Sequence, residues 1–222
     1  MGTIRVYGDS NSSMWGTNPG PGQPWPTRFG TRLVGEAACP ARVVNRAIGG
    51  QQMHLCRAKT SPHPAIESYA VTDLIAAERA QQLPGLVMLC AGTNDLDVSV
   101  TPDAELEDLL ASYETLDETI RSRWGVPLLV ISVLPMRVGG MLSQAVWEQR
   151  EPRRQRVNTR LRTLFGPTGR FFDADTVIGE GMTGGVQTWS PYVYDALHLN
   201  WMGHVRLADA LPLTAITALE EG

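Results

Sequence analysis

The chain has 222 residues, 43% of them hydrophobic and 19% charged, an ordinary globular composition with room for one large core. Its formal net charge of −4 argues against a general nucleic-acid binder, which needs a basic face. No run approaches ~18 consecutive apolar residues, so neither a transmembrane helix nor a membrane partner is expected.

The basic residues are Lys59 and 18 arginines, whose scatter along the chain reads as composition rather than as a binding surface. The start, Met1-Gly2-Thr3-Ile4-Arg5-Val6-Tyr7, lacks the charged and then long apolar pattern of a secretory signal, so a cytoplasmic location is expected. Cys39, Cys56 and Cys90 have neither metal-like spacing nor an even count, and are read as buried reduced thiols.

In chain order, short apolar runs predict strands at Thr3–Tyr7, Arg42–Asn45, Leu86–Cys90, Pro127–Val133 and, more weakly, Arg170–Asp173. Helical patterns separate them. A first apolar face runs over about Ile66–Gln81. The clearest follows Thr101-Pro102, where threonine suits the cap and proline the first turn. Leu106, Leu109, Leu110, Tyr113, Leu116, Ile120 and Trp124 then recur every three or four residues, and Gly125 and Pro127 end the pattern. Another face covers about Arg153–Phe165, and a last helix starts near Trp201 and is interrupted at Pro212. Strands alternating with helices predict one α/β/α domain over residues 1–222, with a five-stranded parallel sheet.

Two loops exceed what a simple connection needs. Residues 11–25 are rich in Gly, Pro, Ser and Asn. Residues 174–194 carry four glycines and then Trp189, Tyr192 and Tyr194.

Gly8-Asp9-Ser10 follows the first strand, where a glycine permits a sharp turn that holds a hydroxyl at the carboxyl edge of the sheet; the tripeptide is also ordinary turn chemistry. Asp195 and His198 stand three residues apart, a spacing that lets a carboxylate reach one imidazole nitrogen, as in a surface ion pair or a catalytic dyad. In the common 2-1-3-4-5 strand order the fifth strand lies three places from the first, roughly 14 Å at ~4.8 Å per strand. The long 174–194 loop is then the piece able to bring His198 back to Ser10. Acyl transfer also needs donors at the developing oxyanion. Asn45-Arg46-Ala47-Ile48-Gly49-Gly50 and Ala91-Gly92-Thr93-Asn94-Asp95 follow the strands neighbouring the first, although the glycines also suit turns and Asn94-Asp95 a helix cap.

Gly8-Asp9-Ser10, Gly50 five residues after Asn45, Gly92-Thr93-Asn94-Asp95 and Asp195-Ala196-Leu197-His198 together resemble the four blocks of the SGNH/GDSL hydrolase superfamily. They occur in the same order and span nearly the whole chain. The resemblance implies a three-layer flavodoxin-like fold and a triad of Ser10, His198 and Asp195. It also implies an oxyanion hole from Ser10 N–H, Gly50 N–H (Gly49 being the alternative register) and the Asn94 amide. Asn11 departs from the usual leucine after the serine and bears on the shape of the acyl pocket. Gly92-Thr93-Asn94-Asp95 and Phe171-Phe172-Asp173-Ala174 are most similar to the small arylesterase and acyltransferase branch, which implies a homo-oligomer. The Gly-x-Ser-x-Gly elbow of the other large esterase fold is absent.

The expected activity is hydrolysis of a small carboxylic ester, or transfer of its acyl group, with no cofactor and no metal. Trp15, Trp189, Tyr192 and Tyr194 are candidate substrate-binding aromatics. Carbohydrate O-acetylesterase, thioesterase and lysophospholipase readings are alternatives, as is an inactive binding module of the same fold. His54 and His63 read as loop residues, Cys56 lacks a supporting constellation, and Asp9 and Asp95 read as loop-shaping. The six arginines between Arg150 and Arg162 read as a solvated face or subunit contact.

Overall fold

A computed structural model describes residues 2–13, 22–37, 39–54, 62–97, 103–179, 191–214 and 216. Its centre is a parallel sheet of β1 (Thr3–Gly8), β2 (Arg42–Asn45), β3 (Leu86–Cys90), β4 (Leu128–Ile131) and β5 (Phe171–Phe172), in the order β2-β1-β3-β4-β5. Between and after the strands come α1 (Trp25–Gly35), α2 (Ile66–Arg79), α3 (Leu106–Trp124), α4 (Gln144–Phe165), α5 (Asp175–Ile178) and α6 (Trp201–Ala210).

Alternation along the strands sorts the core into two layers. Tyr7, Val87, Leu89, Leu128 and Val130 face α2, α3 and α4, packing with Leu74, Leu109, Tyr113 and Val157. Ile4, Val6, Leu86, Met88, Leu129 and Ile131 face α1, α5 and α6, with Trp25, Phe29, Ile178 and Leu207. The central strand β3 is buried throughout, which is why it reads as a continuous apolar run.

Two details differ from the sequence reading. Helix α1 was not legible, because Pro24, Pro26, Gly30 and Gly35 punctuate it; Pro26 sits in its first turn, where proline is tolerated. Gly30 lets α1 approach β2, since a Cβ there would stand 3.2 Å from Val43. Helix α4 starts at Gln144, well before Arg153, carrying Pro152 in its interior and capped by Ser143 Oγ, which accepts the Val146 N–H at 3.3 Å. The last helix ends at Ala210, and the expected interruption at Pro212 is present. The Thr101-Pro102 cap lies outside the described residues, as does Cys56.

The arginines of α4 are a correction as well. Arg150 pairs with Asp97, Arg153 with Asp103, Arg154 with Glu151 and Asp175, Arg156 with Glu107 and Arg162 with Asp173. The Arg154 side chain is 5% exposed and also donates to the Val133 carbonyl at 3.1 Å. Arg150, Arg153 and Arg154 are largely buried in these pairs, whereas Arg156 and Arg162 stay about half exposed. No helix among the described residues is long and apolar enough to cross a membrane.

Candidate active site

The loops after β1, β2 and β3 meet at the carboxyl edge of the sheet, where open α/β sheets commonly bind ligands. At Gly8 any side chain would collide with the Cys90 carbonyl oxygen and stand 2.7 Å from Ser12 Oγ, so the turn into Ser10 requires glycine. Ser12 N–H and Ser13 N–H both bond the Asp9 carbonyl at 3.1 Å, winding the chain tightly around Ser10. Asp9 Oδ1 accepts the Asn11 N–H at 2.9 Å. Burial pushes the Asp9 carboxyl above the usual range, against the opposing pull of the Asn11 N–H, Thr93 and His198.

The second loop is stitched to the first. Ile48 N–H donates to the Gly8 carbonyl at 3.1 Å, and Asn45 Nδ2 donates to the Ser12 carbonyl at 2.8 Å. Gly50 has φ +75°, and a Cβ there would meet nothing within 4 Å, so this backbone borders open space. In the third loop, Gly92 has φ +105° and no room for a Cβ, which would sit 2.8 Å from Tyr113 Oη. The Thr93–Asp95 3-10 turn follows. Asn94 Nδ2 donates to the Gln51 carbonyl at 2.9 Å. Asp95 accepts Met53 N–H at 2.9 Å and His54 N–H at 3.2 Å, so Asn94 and Asp95 both clamp the loop that carries Gly50. Burial pushes Asp95 up to about 7, despite those two N–H donors. The reading of Asp9 and Asp95 as loop-shaping residues describes these bonds.

The segment 191–200 arrives from the far end of the chain and lies against Ser10. His198 Nε2 is 2.9 Å from Ser10 Oγ, and His198 Nδ1 is 2.7 Å from Asp195 Oδ2. Asp195 Oδ1 also accepts Leu197 N–H at 3.1 Å and His198 N–H at 2.8 Å. Burial would raise the Asp195 carboxyl, but the His198 imidazole and these N–H groups outweigh it and hold the group below the usual carboxylate range. An ionised Asp195 only accepts, so His198 Nδ1 carries a hydrogen, and in the neutral imidazole the Nε2 lone pair is the one that faces the Ser10 hydroxyl. Ser10 is 3% exposed and His198 7%, which leaves this chain of groups mostly screened from water.

A region that the sequence reading missed holds the same segment from the other side. Arg137 N–H donates to the Ala196 carbonyl at 3.1 Å, and Met141 N–H to the Asp195 carbonyl at 3.0 Å. The Arg137 guanidinium reaches the Val193 carbonyl at 3.4 Å and that of Tyr194 at 2.6 Å. Ala196 is held at φ +82°, an uncommon conformation for a residue with a side chain. Val193 and Leu199 form a bridge, and Tyr194 N–H bonds the His198 carbonyl at 2.9 Å. Asn11 joins this segment too, through Leu197 and Leu199. No sequence signal marks Arg137; Asn11 is marked only as a polar residue in place of the usual leucine.

The GDSL-like Lipase/Acylhydrolase family model matches residues 6–206, which takes in Ser10, Gly50, Asn94, Asp195 and His198. The chain belongs to the GDSL-like lipase/acylhydrolase family. Among solved structures, this family member is similar to an inhibitor-bound aryl esterase of M. smegmatis, at 20% identity and a TM-score of 0.69, covering 99% of this chain and 100% of that one. A carbohydrate acetylesterase family member from Sinorhizobium meliloti matches at 16% identity and a TM-score of 0.72, covering 100% of both chains. A second carbohydrate acetylesterase from that organism matches at 17% identity and 0.64, covering 99% of this chain and 100% of that one. These likenesses show the SGNH hydrolase fold. Comparison with curated proteins gives no significant match.

Of the four candidate substrate-binding aromatics, Trp15 and Trp189 lie outside the described residues. Tyr192 is partly buried and packs against the apolar layer on the α1 and α6 side, whereas Tyr194 is 40% exposed beside Asp195. His204, buried behind the site, accepts the Trp25 N–H at 3.3 Å on Nδ1; burial and the charges of Arg28 and His198 push its pKa down to about 4. Among the described residues no three His, Cys, Asp or Glu side chains gather as a metal site. His54 Nδ1 bonds Ser112 Oγ at 2.8 Å.

Proposed function

We propose that the protein is a serine esterase acting on small carboxylic esters through an acyl-Ser10 intermediate. The observation that carries this reading is the unbroken hydrogen-bond chain from Ser10 Oγ through both His198 nitrogens to Asp195. Ser10 Oγ attacks the ester carbonyl while His198 Nε2 takes its proton, and Asp195 stabilises the imidazolium that forms. The tetrahedral oxyanion is held by Ser10 N–H, Gly50 N–H and Asn94. The Asn94 amide nitrogen has two hydrogens, of which Gln51 accepts one, leaving the second for the substrate. As the C–O bond to the alcohol breaks, His198 returns the proton to the leaving oxygen. Water, deprotonated by His198, then attacks the acyl-serine; the acyl–Oγ bond breaks, His198 returns the proton to Ser10 Oγ, and the carboxylic acid leaves. An alcohol or amine taking the place of water transfers the acyl group instead.

The likeness to an aryl esterase and to two carbohydrate acetylesterases supports the choice of substrates. Short acyl esters of aryl alcohols and sugars are the first substrates to try. A fluorophosphonate is expected to label Ser10 in folded protein, and p-nitrophenyl acetate to release p-nitrophenol in proportion to enzyme. An acyl-chain series run beside sugar acetates, with and without added alcohol, sorts hydrolysis from transfer. Absence of both labelling and p-nitrophenol release overturns the reading in favour of a binding module.

A further inference from the structure

Asn11 is the residue immediately after the proposed nucleophile, at the position where the family pattern usually has leucine, and it is 1% exposed. Its Nδ2 donates to the Leu197 carbonyl at 3.3 Å, and its Oδ1 accepts the Leu199 N–H at 3.0 Å. Those two backbone groups flank His198, so one primary amide grips the imidazole-bearing residue from both sides, much as a neighbouring strand would. The carbonyl needs a donor and the N–H an acceptor, which fixes the orientation of the amide. At its other end Asn11 is fixed by its own N–H on Asp9 Oδ1, at 2.9 Å. Both polar atoms of the side chain are thus engaged with the segment that carries His198.

We propose that Asn11 is a positioning residue that sets His198 Nε2 against Ser10 Oγ by locking the Leu197–Leu199 backbone to the turn of the nucleophile; this rests on the Ser10–His198–Asp195 reading above. Ser10 and His198 are 188 residues apart in sequence, and His198 sits on a segment that is not part of the sheet. Asn11 is covalently joined to Ser10, so a bond from Asn11 to either side of His198 transmits the nucleophile's position directly to its base. A leucine can fill the same space but offers no donor or acceptor, and the buried Leu199 N–H would lose its partner. The departure from the family pattern therefore exchanges an apolar contact for a two-point registration of the base.

The test is steady-state kinetics with p-nitrophenyl acetate on Asn11→Leu, alone and combined with His198→Ala, with Ser10 phosphonylation rates measured in parallel. Far-UV circular dichroism and thermal melts establish that each variant is folded. If Asn11→Leu does not fold, Asn11→Ala carries the same test, because it leaves space for water at both backbone groups. The expected result is a kcat lower by about 10²-fold, the scale of a small misplacement of a catalytic group, with KM near the wild-type value. Phosphonylation should slow to the same extent. In the His198→Ala background the substitution should cost nothing further, since no base is left to misplace. A folded variant with wild-type kcat overturns the proposal, as does an equal loss in the presence and absence of His198. If His198→Ala alone keeps the wild-type rate, the base assignment itself falls and takes the proposal with it, which separates that failure from one confined to Asn11.

Discussion

Ser10, Gly50 and Asn94 stand on loops that leave β1, β2 and β3 directly, whereas Asp195 and His198 stand on a segment that belongs to no strand of the sheet. The first group inherits its position from the sheet, whose central strands are buried and paired along their length. The second is placed by discrete bonds: Asn11 holds Leu197 and Leu199, while Arg137 and Met141 hold the carbonyls of Val193 to Ala196. A typical hydrogen bond is worth only about 0.5–1.5 kcal/mol net. Losing one or two should therefore loosen the 193–199 segment without unfolding the sheet. Activity should be far more sensitive than stability on that side of the site.

The sharpest break of this contrast is His198→Ala. It should lower kcat on the order of 10⁶-fold, the scale of losing a general base from such a triad, with the melting temperature little changed. Asn94→Ala, on the sheet-borne side, should lower kcat about 10²–10³-fold as an oxyanion donor; an unchanged kcat would remove it from that role. Arg137→Ala comes next, with kcat expected to fall roughly tenfold from misplacement of the segment. Hydrogen exchange at the Tyr194 amide should speed up in this variant while β3 amides stay protected. Arg137→Lys should not restore either, because an ammonium lacks the planar fork that reaches two carbonyls.

A further effect is on stability against pH, and it belongs to the strand-borne loops. Asp95 is pushed up to about 7 in the folded protein, while an unfolded Asp titrates near ~3.9. Between those values the folded state keeps a proton that the unfolded state has lost, so stability falls as pH rises from about 4 to about 7 and then levels. Asp9, also raised by burial, acts in the same direction. Asp195, held below the usual range, does the opposite, contributing stability above ~3.9 that is lost only as pH falls through its folded value. Urea midpoints at about pH 5 and about pH 8 should therefore differ less in Asp95→Asn than in the wild type.

Much of this was legible in the sequence for a physical reason. Buried parallel strands leave continuous apolar runs, so four of the five strands stand out, and β5 reads weakly because only Phe171 and Phe172 pair. Ser10, Gly50 and Asn94 fall in short blocks that follow β1, β2 and β3 in the chain, and Asp195 and His198 share a fourth block near its end. Helix α1 was obscured by its prolines and glycines, and the first turns of α4 by Pro152. The supports of the acid–base segment were hidden for another reason. Asn11 meets Leu197 across 186 positions and Arg137 meets Tyr194 across 57, and neither contact has a local periodicity to reveal it. The arginines of α4 look alike as text, yet Arg154 is buried between Glu151 and Asp175, a pairing that only the packing of α4 defines.

Among the described residues, the backbone of the 193–199 segment is held by bonds from residues 11, 137 and 141. Each of these contacts acts on the backbone beside the imidazole and not on the ring itself, so a substitution at 11, 137 or 141 shifts the imidazole without removing it.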